Sequence, residues 1–64
     1  MCEATVFLLR RDGSEELVME DVDEVLFEDD GQGRLVSIFG NQLSLRAHVK
    51  SMSLANHRVM LAEE

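Results

Sequence analysis

The sequence predicts an all-β fold, a small antiparallel barrel or rolled sheet of about six or seven short strands. Apolar residues occur in short runs or alternate with polar residues, and no long stretch has the 3.6-residue period of an amphipathic helix. Turn-forming pairs such as Asp12-Gly13 and Asp30-Gly31 divide these runs. The chain also contains no proline. Together these patterns indicate strands joined by tight turns.

The first predicted strand has no polar face, because Val6, Phe7, Leu8 and Leu9 follow one another directly. A strand with two apolar faces needs cover on both sides. The predicted elements of the N-terminal half are a strand at Cys2–Arg10, a hairpin turn at Arg11–Ser14, a strand at Glu15–Glu20, a tight connection at Asp21–Asp23 and a strand at Glu24–Asp29.

The C-terminal half contains the cleanest alternation, in which the apolar residues from Leu43 to Val49 face one way. Met52 and Leu54 lie one step out of phase with Val49, which predicts a bulge near Lys50 and Ser51. The predicted elements here are a turn at Asp30–Gly33, a strand at Arg34–Phe39, a turn at Gly40–Asn41, a strand at Gln42–Val49, a turn at Ala55–Asn56 and a strand at His57–Ala62.

The chain length of 64 residues predicts a single domain spanning residues 1–64. A domain of this size buries only about 60% of its unfolded surface, so its stability is marginal without further support. Small domains obtain that support from disulfides, a metal or oligomerisation. The single cysteine cannot form an intrachain disulfide. Metal binding or self-association is therefore expected.

The charge balance argues against a nucleic-acid partner, because thirteen acidic and six basic residues give a formal net charge of −7. Only Arg10 and Arg11 adjoin, and the three phenylalanines, Phe7, Phe27 and Phe39, are predicted to be internal. No apolar run approaches the roughly 20 residues needed to span a bilayer, and the N-terminus lacks the basic leader of a signal peptide. A lone cysteine fits a reducing compartment, so a cytoplasmic protein without a membrane anchor is expected.

Cys2 is the strongest candidate metal ligand, because its thiolate lies beside the chain terminus. If Met1 is removed, the terminal amine, the Cys2 sulfur and the Glu3 amide nitrogen can reach one ion; if Met1 is retained, its amine could instead chelate with the Cys2 amide and thiolate. Amide nitrogen donors favour the square-planar geometry of Ni(II) or Cu(II) over Zn(II). The alternative is that Cys2 is a small apolar residue opening a strand.

The two histidines are weaker candidates. His57 follows a turn and is kept as a secondary ligand; the alternative is a structural histidine bonded to a turn carbonyl. His48 falls on a polar strand face and is expected to be exposed.

Met52, like Met19 and Met60, is expected to be part of the apolar core. Cys2 and His57 have no orienting third residue, so we do not expect an enzyme.

Four segments resemble the CooT family of small nickel-binding proteins: Met1–Val6, Met19–Val22, Ile38–Gly40 and Asn56–Leu61. The resemblance implies a compact β fold, a homodimer and Ni(II) binding centred on Cys2. It also implies storage of nickel or its delivery to a nickel enzyme such as carbon monoxide dehydrogenase. Two other functions stay open: a small RNA-binding module, a label that members of the family also carry, and an adaptor that binds a protein through an exposed strand edge.

Overall fold

Residues 3–64 are described by a computed structural model. They form five strands that close into one barrel in the order β1-β2-β3-β4-β5, and the prediction of an all-β fold is therefore confirmed. Neighbouring strands pair antiparallel except at the closure, where β1 and β5 are parallel. The strands are β1 Ala4–Leu9, β2 Glu15–Phe27, β3 Gln32–Ser37, β4 Gln42–Ser53 and β5 Arg58–Glu63.

The predicted count of six or seven strands is wrong, because the second and third predicted strands are one continuous strand of 13 residues, β2. The acidic segment Asp21–Asp23 does not reverse the chain. Asp21 instead adopts a left-handed backbone with φ 57°. The register shifts there against both β1 and β3. An extra residue of this kind bends a strand without ending it, so β2 curves around the barrel and pairs on both sides.

The predicted bulge in β4 is confirmed, since the pairing of β4 with β5 shifts between Val49 and Ser51. β4 continues through the bulge to Ser53. The predicted apolar face of this strand is only partly buried: Ala47 is 2% exposed, whereas Val49 is 40% exposed. The burial of β4 therefore decreases before the bulge, and the residues beyond the bulge continue the strand to Ser53.

The core is small and lies inside the barrel. It consists of seven apolar side chains in the described part of the chain: Val6, Leu8, Val22, Leu35, Ala47, Val59 and Leu61. Val6 and Leu8 account for one face of β1. Phe7, on the other face, is half-buried and is covered by the guanidinium of Arg58, whose Cζ lies 4.6 Å from the ring centroid. The two-faced apolar strand thus has an aliphatic inner side and a cation–π contact outside.

The hairpin between β3 and β4 is fixed by a buried hydroxyl. Ser37 is 4% exposed, and its Oγ accepts the backbone N–H groups of Phe39 and Asn41, each at 3.2 Å. The next backbone N–H, that of Ile38, donates to the carbonyl of Asp21 at 2.8 Å. The Ser37 bonds hold the turn in shape, and the Ile38 bond attaches the hairpin to the bulged part of β2, at the end of the barrel where β1 begins.

Candidate metal centre

The end of the barrel at which β1 begins, which we call the mouth, brings two of the three predicted ligands together. Glu3 directly precedes β1, and His57 directly precedes β5. The backbone N–H of Thr5 donates to the carbonyl of His57 at 2.8 Å, which joins the two segments. Glu3 and His57 line the same pocket, with a volume of about 310 Å³. The third predicted ligand, Cys2, lies outside the described residues.

The lining of this mouth pocket is largely apolar and includes four charged or titratable side chains. Strands β1, β2, β4 and β5 and the turn after β4 supply its apolar lining, which consists of Ala4, Val22, Val25, Met52, Leu54 and Val59. Met52 and Leu54 are the exposed members of this lining. Asp23 and Arg58 line it together with the two predicted ligands. Asp23 and Arg58 were not among the predicted nickel ligands. Asp23 reaches this pocket because β2 continues past its bulge, where the sequence pattern had indicated a chain reversal.

His57 is held by its backbone and presents its side chain to solvent. Its φ of 54° is left-handed, a conformation that histidine adopts more readily than most residues. Its N–H donates to the carbonyl of Leu54 at 3.3 Å, and Ser53 Oγ accepts the N–H of Asn56 at 3.3 Å. The side chain of His57 is exposed, whereas that of Val59, two residues later in β5, is buried.

The remaining predicted donors have different surroundings. His48 is exposed as predicted, and its Nδ1 lies 3.9 Å from an Oε2 of Glu64. Met52, predicted as core, is 56% exposed at the mouth pocket. Among residues 3–64, no three His, Cys, Asp or Glu side chains are grouped closely enough to hold a metal ion. A metal site at the mouth would therefore need donors beyond the side chains of residues 3–64.

The far end of the barrel carries a polar network that occupies the only adjacent basic pair in the sequence. Arg10 pairs with Glu16 and donates from Nη1 to Glu63 Oε1 at 3.2 Å. The N–H of Arg11 donates to Glu63 Oε2 at 3.1 Å, and its Nη2 donates to the carbonyl of Glu64 at 2.7 Å. The Arg11 hydrogen bond, with help from Arg10, holds the pKa of Glu63 below its usual range. Both arginines of this pair are thus engaged by intramolecular contacts within residues 3–64.

The structure changes two expectations on which the RNA-binding and adaptor functions depend. Phe39 is 74% exposed and Phe27 is 46% exposed, so the prediction that both are internal is wrong. Phe27 is the last residue of β2, whereas Phe39 lies in the turn between β3 and β4, so the two rings belong to different hairpins. The barrel formed by residues 4–63 is closed, and closure removes the free strand edge that an adaptor of the predicted kind would use.

Comparisons with known proteins agree with this fold. The model of the family described as CO dehydrogenase accessory protein CooT matches residues 1–62. A crystal structure of a protein assigned as CooT, from Carboxydothermus hydrogenoformans, superposes with a TM-score of 0.85 at 36% sequence identity, covering 98% of each chain. A search of curated proteins gives no match. The described part of the chain has no helix long and apolar enough to cross a membrane.

The match covers nearly the whole sequence and includes both termini of the barrel. The resemblance inferred from four short segments is thereby confirmed, and the description of the family supports an accessory role for this chain. The chain belongs to the CooT family of carbon monoxide dehydrogenase accessory proteins.

Proposed function

We propose that this chain is a nickel-binding accessory protein, which stores Ni(II) or delivers it to a nickel enzyme. In this proposal the ion is cargo, bound through the Cys2 thiolate and N-terminal nitrogen donors in a homodimer. The observation that carries the proposal is the common pocket of Glu3 and His57 at the mouth. Membership of an accessory family of carbon monoxide dehydrogenase supports the same role.

The donor chemistry at the terminus suits nickel. A terminal amine has a pKa of about 7.7–8.0, so a metal ion can displace its proton near neutral pH. Thiolate is a soft ligand, and its combination with deprotonated amide nitrogen favours a square-planar Ni(II) complex. Cys2 is bonded to Glu3, and consecutive Cα atoms are about 3.8 Å apart. A site centred on Cys2 would therefore adjoin the mouth pocket.

His57 is suited to a supporting role at this site. Its backbone is tied to β1 through the Thr5 hydrogen bond, whereas its imidazole is exposed beside the pocket that Glu3 lines. An imidazole nitrogen is a good fourth donor for Ni(II). A thiolate from the second chain is the alternative completion, and it is the reason for proposing that the metal site lies at or near a subunit interface.

Nickel titration of Cys2→Ser tests the proposal. We expect the full-length chain to bind Ni(II) with thiolate-to-nickel charge-transfer absorption, and we expect the variant to lose both the absorption and the tight binding. Mass determination under anaerobic conditions would report Met1 status and stoichiometry in the same experiment. Nickel binding by Cys2→Ser that equals that of the unmodified chain would disprove the site.

The His57→Asn variant separates the imidazole from the backbone, because asparagine also tolerates a left-handed conformation. If His57 is a ligand, this variant should bind nickel at least about tenfold more weakly, equivalent to about 1.4 kcal/mol. His48→Asn is the matched control, since His48 is exposed on β4 and does not line the mouth pocket. Equal affinity in the two variants would remove His57 from the ligand set.

A further inference from the structure

Two of the hairpin turns have the same backbone structure and the same reactive pair of residues. The turn between β1 and β2 contains Asp12-Gly13, and the turn between β2 and β3 contains Asp30-Gly31. The two glycines have φ of 90° and 88°, and their N–H groups donate to the carbonyl three residues earlier at 3.0 and 3.1 Å. Each aspartate Oδ1 accepts the backbone N–H two residues later, at 2.9 and 3.0 Å. The two turns therefore form a matched pair.

An exposed aspartate followed by glycine can isomerise without an enzyme, and both of these aspartates are exposed. The glycine nitrogen loses its proton and attacks Cγ of the aspartate, because no Cβ on the glycine hinders the approach. An N–C bond forms, one oxygen of the protonated carboxyl group leaves as water, and a five-membered succinimide results. Water then opens the ring at the main-chain carbonyl, so the product is isoaspartate and the composition of the chain is unchanged.

The peptide group between Asp30 and Gly31 has a charged hydrogen bond that its counterpart lacks. Nη1 of Arg46 donates to the carbonyl oxygen of Asp30 at 2.7 Å. Within residues 3–64, no side chain donates to the carbonyl oxygen of Asp12. When an amide loses its proton, much of the negative charge moves to its oxygen, so a guanidinium at that oxygen stabilises the anion. Arg46 therefore makes the nitrogen of Gly31 easier to deprotonate.

The carboxyl group of Asp12 is held in the form that does not react. Its Oδ1 accepts a second hydrogen bond from Oγ of Ser14 at 2.6 Å, and the bonds from Ser14 lower the pKa of Asp12. A carboxylate must be protonated before its oxygen can leave as water, so these bonds oppose succinimide formation. Gln32 occupies the equivalent position in the other turn and has no hydroxyl group. Both differences therefore favour reaction at Asp30.

We propose that Asp30 is a site of spontaneous isoaspartate formation that Arg46 promotes, and that Asp12 is protected from the same reaction. The product has one additional main-chain carbon in the turn, so it should loosen the pairing of β2 with β3. It also exposes an α-carboxylate, the group that an isoaspartyl methyltransferase recognises. The inference goes beyond the proposed nickel function and does not depend on it, because neither Asp30 nor Arg46 lines the mouth pocket.

Substitutions assign the effect to particular groups. Arg46→Gln keeps a hydrogen-bond donor but removes the charge, so it should slow isomerisation at Asp30 several-fold, and Arg46→Lys should restore part of the rate. Ser14→Ala should raise the rate at Asp12. Glu64→Gln is the matched control, because Oε1 of Glu64 lies 3.7 Å from where a Cβ on the turn glycine would be, beside Nη1 of Arg46 at 3.5 Å. An unchanged or faster rate at Asp30 in Arg46→Gln, or equal slowing by Glu64→Gln, would refute the role of the guanidinium.

The main test incubates the metal-free full-length chain at neutral pH and physiological temperature, both folded and in concentrated urea. Trypsin releases both sites on one peptide, residues 12–34, because no lysine or arginine lies between Arg11 and Arg34. Electron-transfer fragmentation of this peptide then locates the isoaspartate, and an isoaspartyl methyltransferase measures its total amount. We expect Asp30 to isomerise several-fold faster than Asp12 in the folded chain, and the two rates to converge in urea. Equal rates in the folded chain, a faster rate at Asp12, no isoaspartate at Asp30, or a difference that persists in urea would overturn the proposal.

Discussion

At the scale of single residues, Asp21 explains why the strand count differs from the prediction. Its left-handed backbone, with φ 57°, lets β2 bulge and continue, and its carbonyl accepts the N–H of Ile38 at 2.8 Å. A non-glycine residue in this region costs about 1–3 kcal/mol, and aspartate is among the residues that tolerate it best. The sequence signals the irregularity through the four acidic residues that flank Val22, two on each side. It does not say whether the chain turns back or bulges, because pairing partners far along the chain decide that.

Substitution at Asp21 tests this account. Asp21→Val places a β-branched side chain in a left-handed conformation and should lower the free energy of unfolding by about 1–3 kcal/mol. Asp21→Gly removes the steric penalty and should leave stability unchanged or slightly higher. Urea unfolding followed by circular dichroism measures both changes. Glu20→Val, at an exposed position of the same strand, serves as the control. If both valine variants lose equal stability, the backbone conformation of Asp21 is not the cause.

At the scale of strands, the local features were predictable and the non-local ones were not. The turns at Gly13 and Gly40, both with φ 90°, and the bulge between Val49 and Ser51 follow from local sequence patterns and were predicted. The parallel pairing of β1 with β5 joins residues more than fifty positions apart, such as Thr5 and Arg58. No local pattern encodes that pairing. The mouth pocket depends on it, and for this reason only two of its polar residues could be named in advance.

The contact between β5 and the β1–β2 hairpin should make barrel stability depend on pH. The pKa of Glu63 is lowered mainly by the Arg11 N–H, and a group with a lowered folded pKa stabilises the fold above its unfolded pKa of about 4.3. That contribution is lost as pH falls through the folded pKa. The thermal midpoint of Glu63→Gln should therefore start lower near neutrality and decline less steeply than that of the unmodified chain below about pH 4.3.

Thermal unfolding between about pH 3 and pH 7, followed by circular dichroism, measures this difference. Glu24→Gln is the control, because Glu24 is an exposed carboxylate of β2 at the other end of the barrel. The ion pairs are exposed, so added salt should reduce the effect. Parallel pH profiles for the unmodified chain and Glu63→Gln would show that the network does not support closure of the barrel.

At the scale of the whole molecule, the size of the core predicts self-association. Seven buried apolar side chains form the core of residues 3–64, and eight large apolar side chains are exposed. A domain of this size buries only about 60% of its unfolded surface, and a second copy would bury more. The barrel has apolar surface outside the mouth pocket, including Phe39 at 74% exposure and Leu17 at 47%. We therefore expect a homodimer whose driving force is apolar burial rather than the metal.

Sedimentation equilibrium tests that expectation, and it should give the mass of two chains at micromolar concentration, with or without a chelator. For a dimer that unfolds to separate chains, a tenfold rise in concentration adds about 1.4 kcal/mol of stability per dimer, so the thermal midpoint should rise with concentration. Cys2→Ser should behave identically, because the thiolate is not needed for apolar burial. A clean monomer at high concentration would eliminate the two-chain nickel site and leave Cys2, Glu3 and His57 of a single chain as the ligand set to be tested. Dissociation of the dimer by chelator alone would instead make the metal the driving force of assembly.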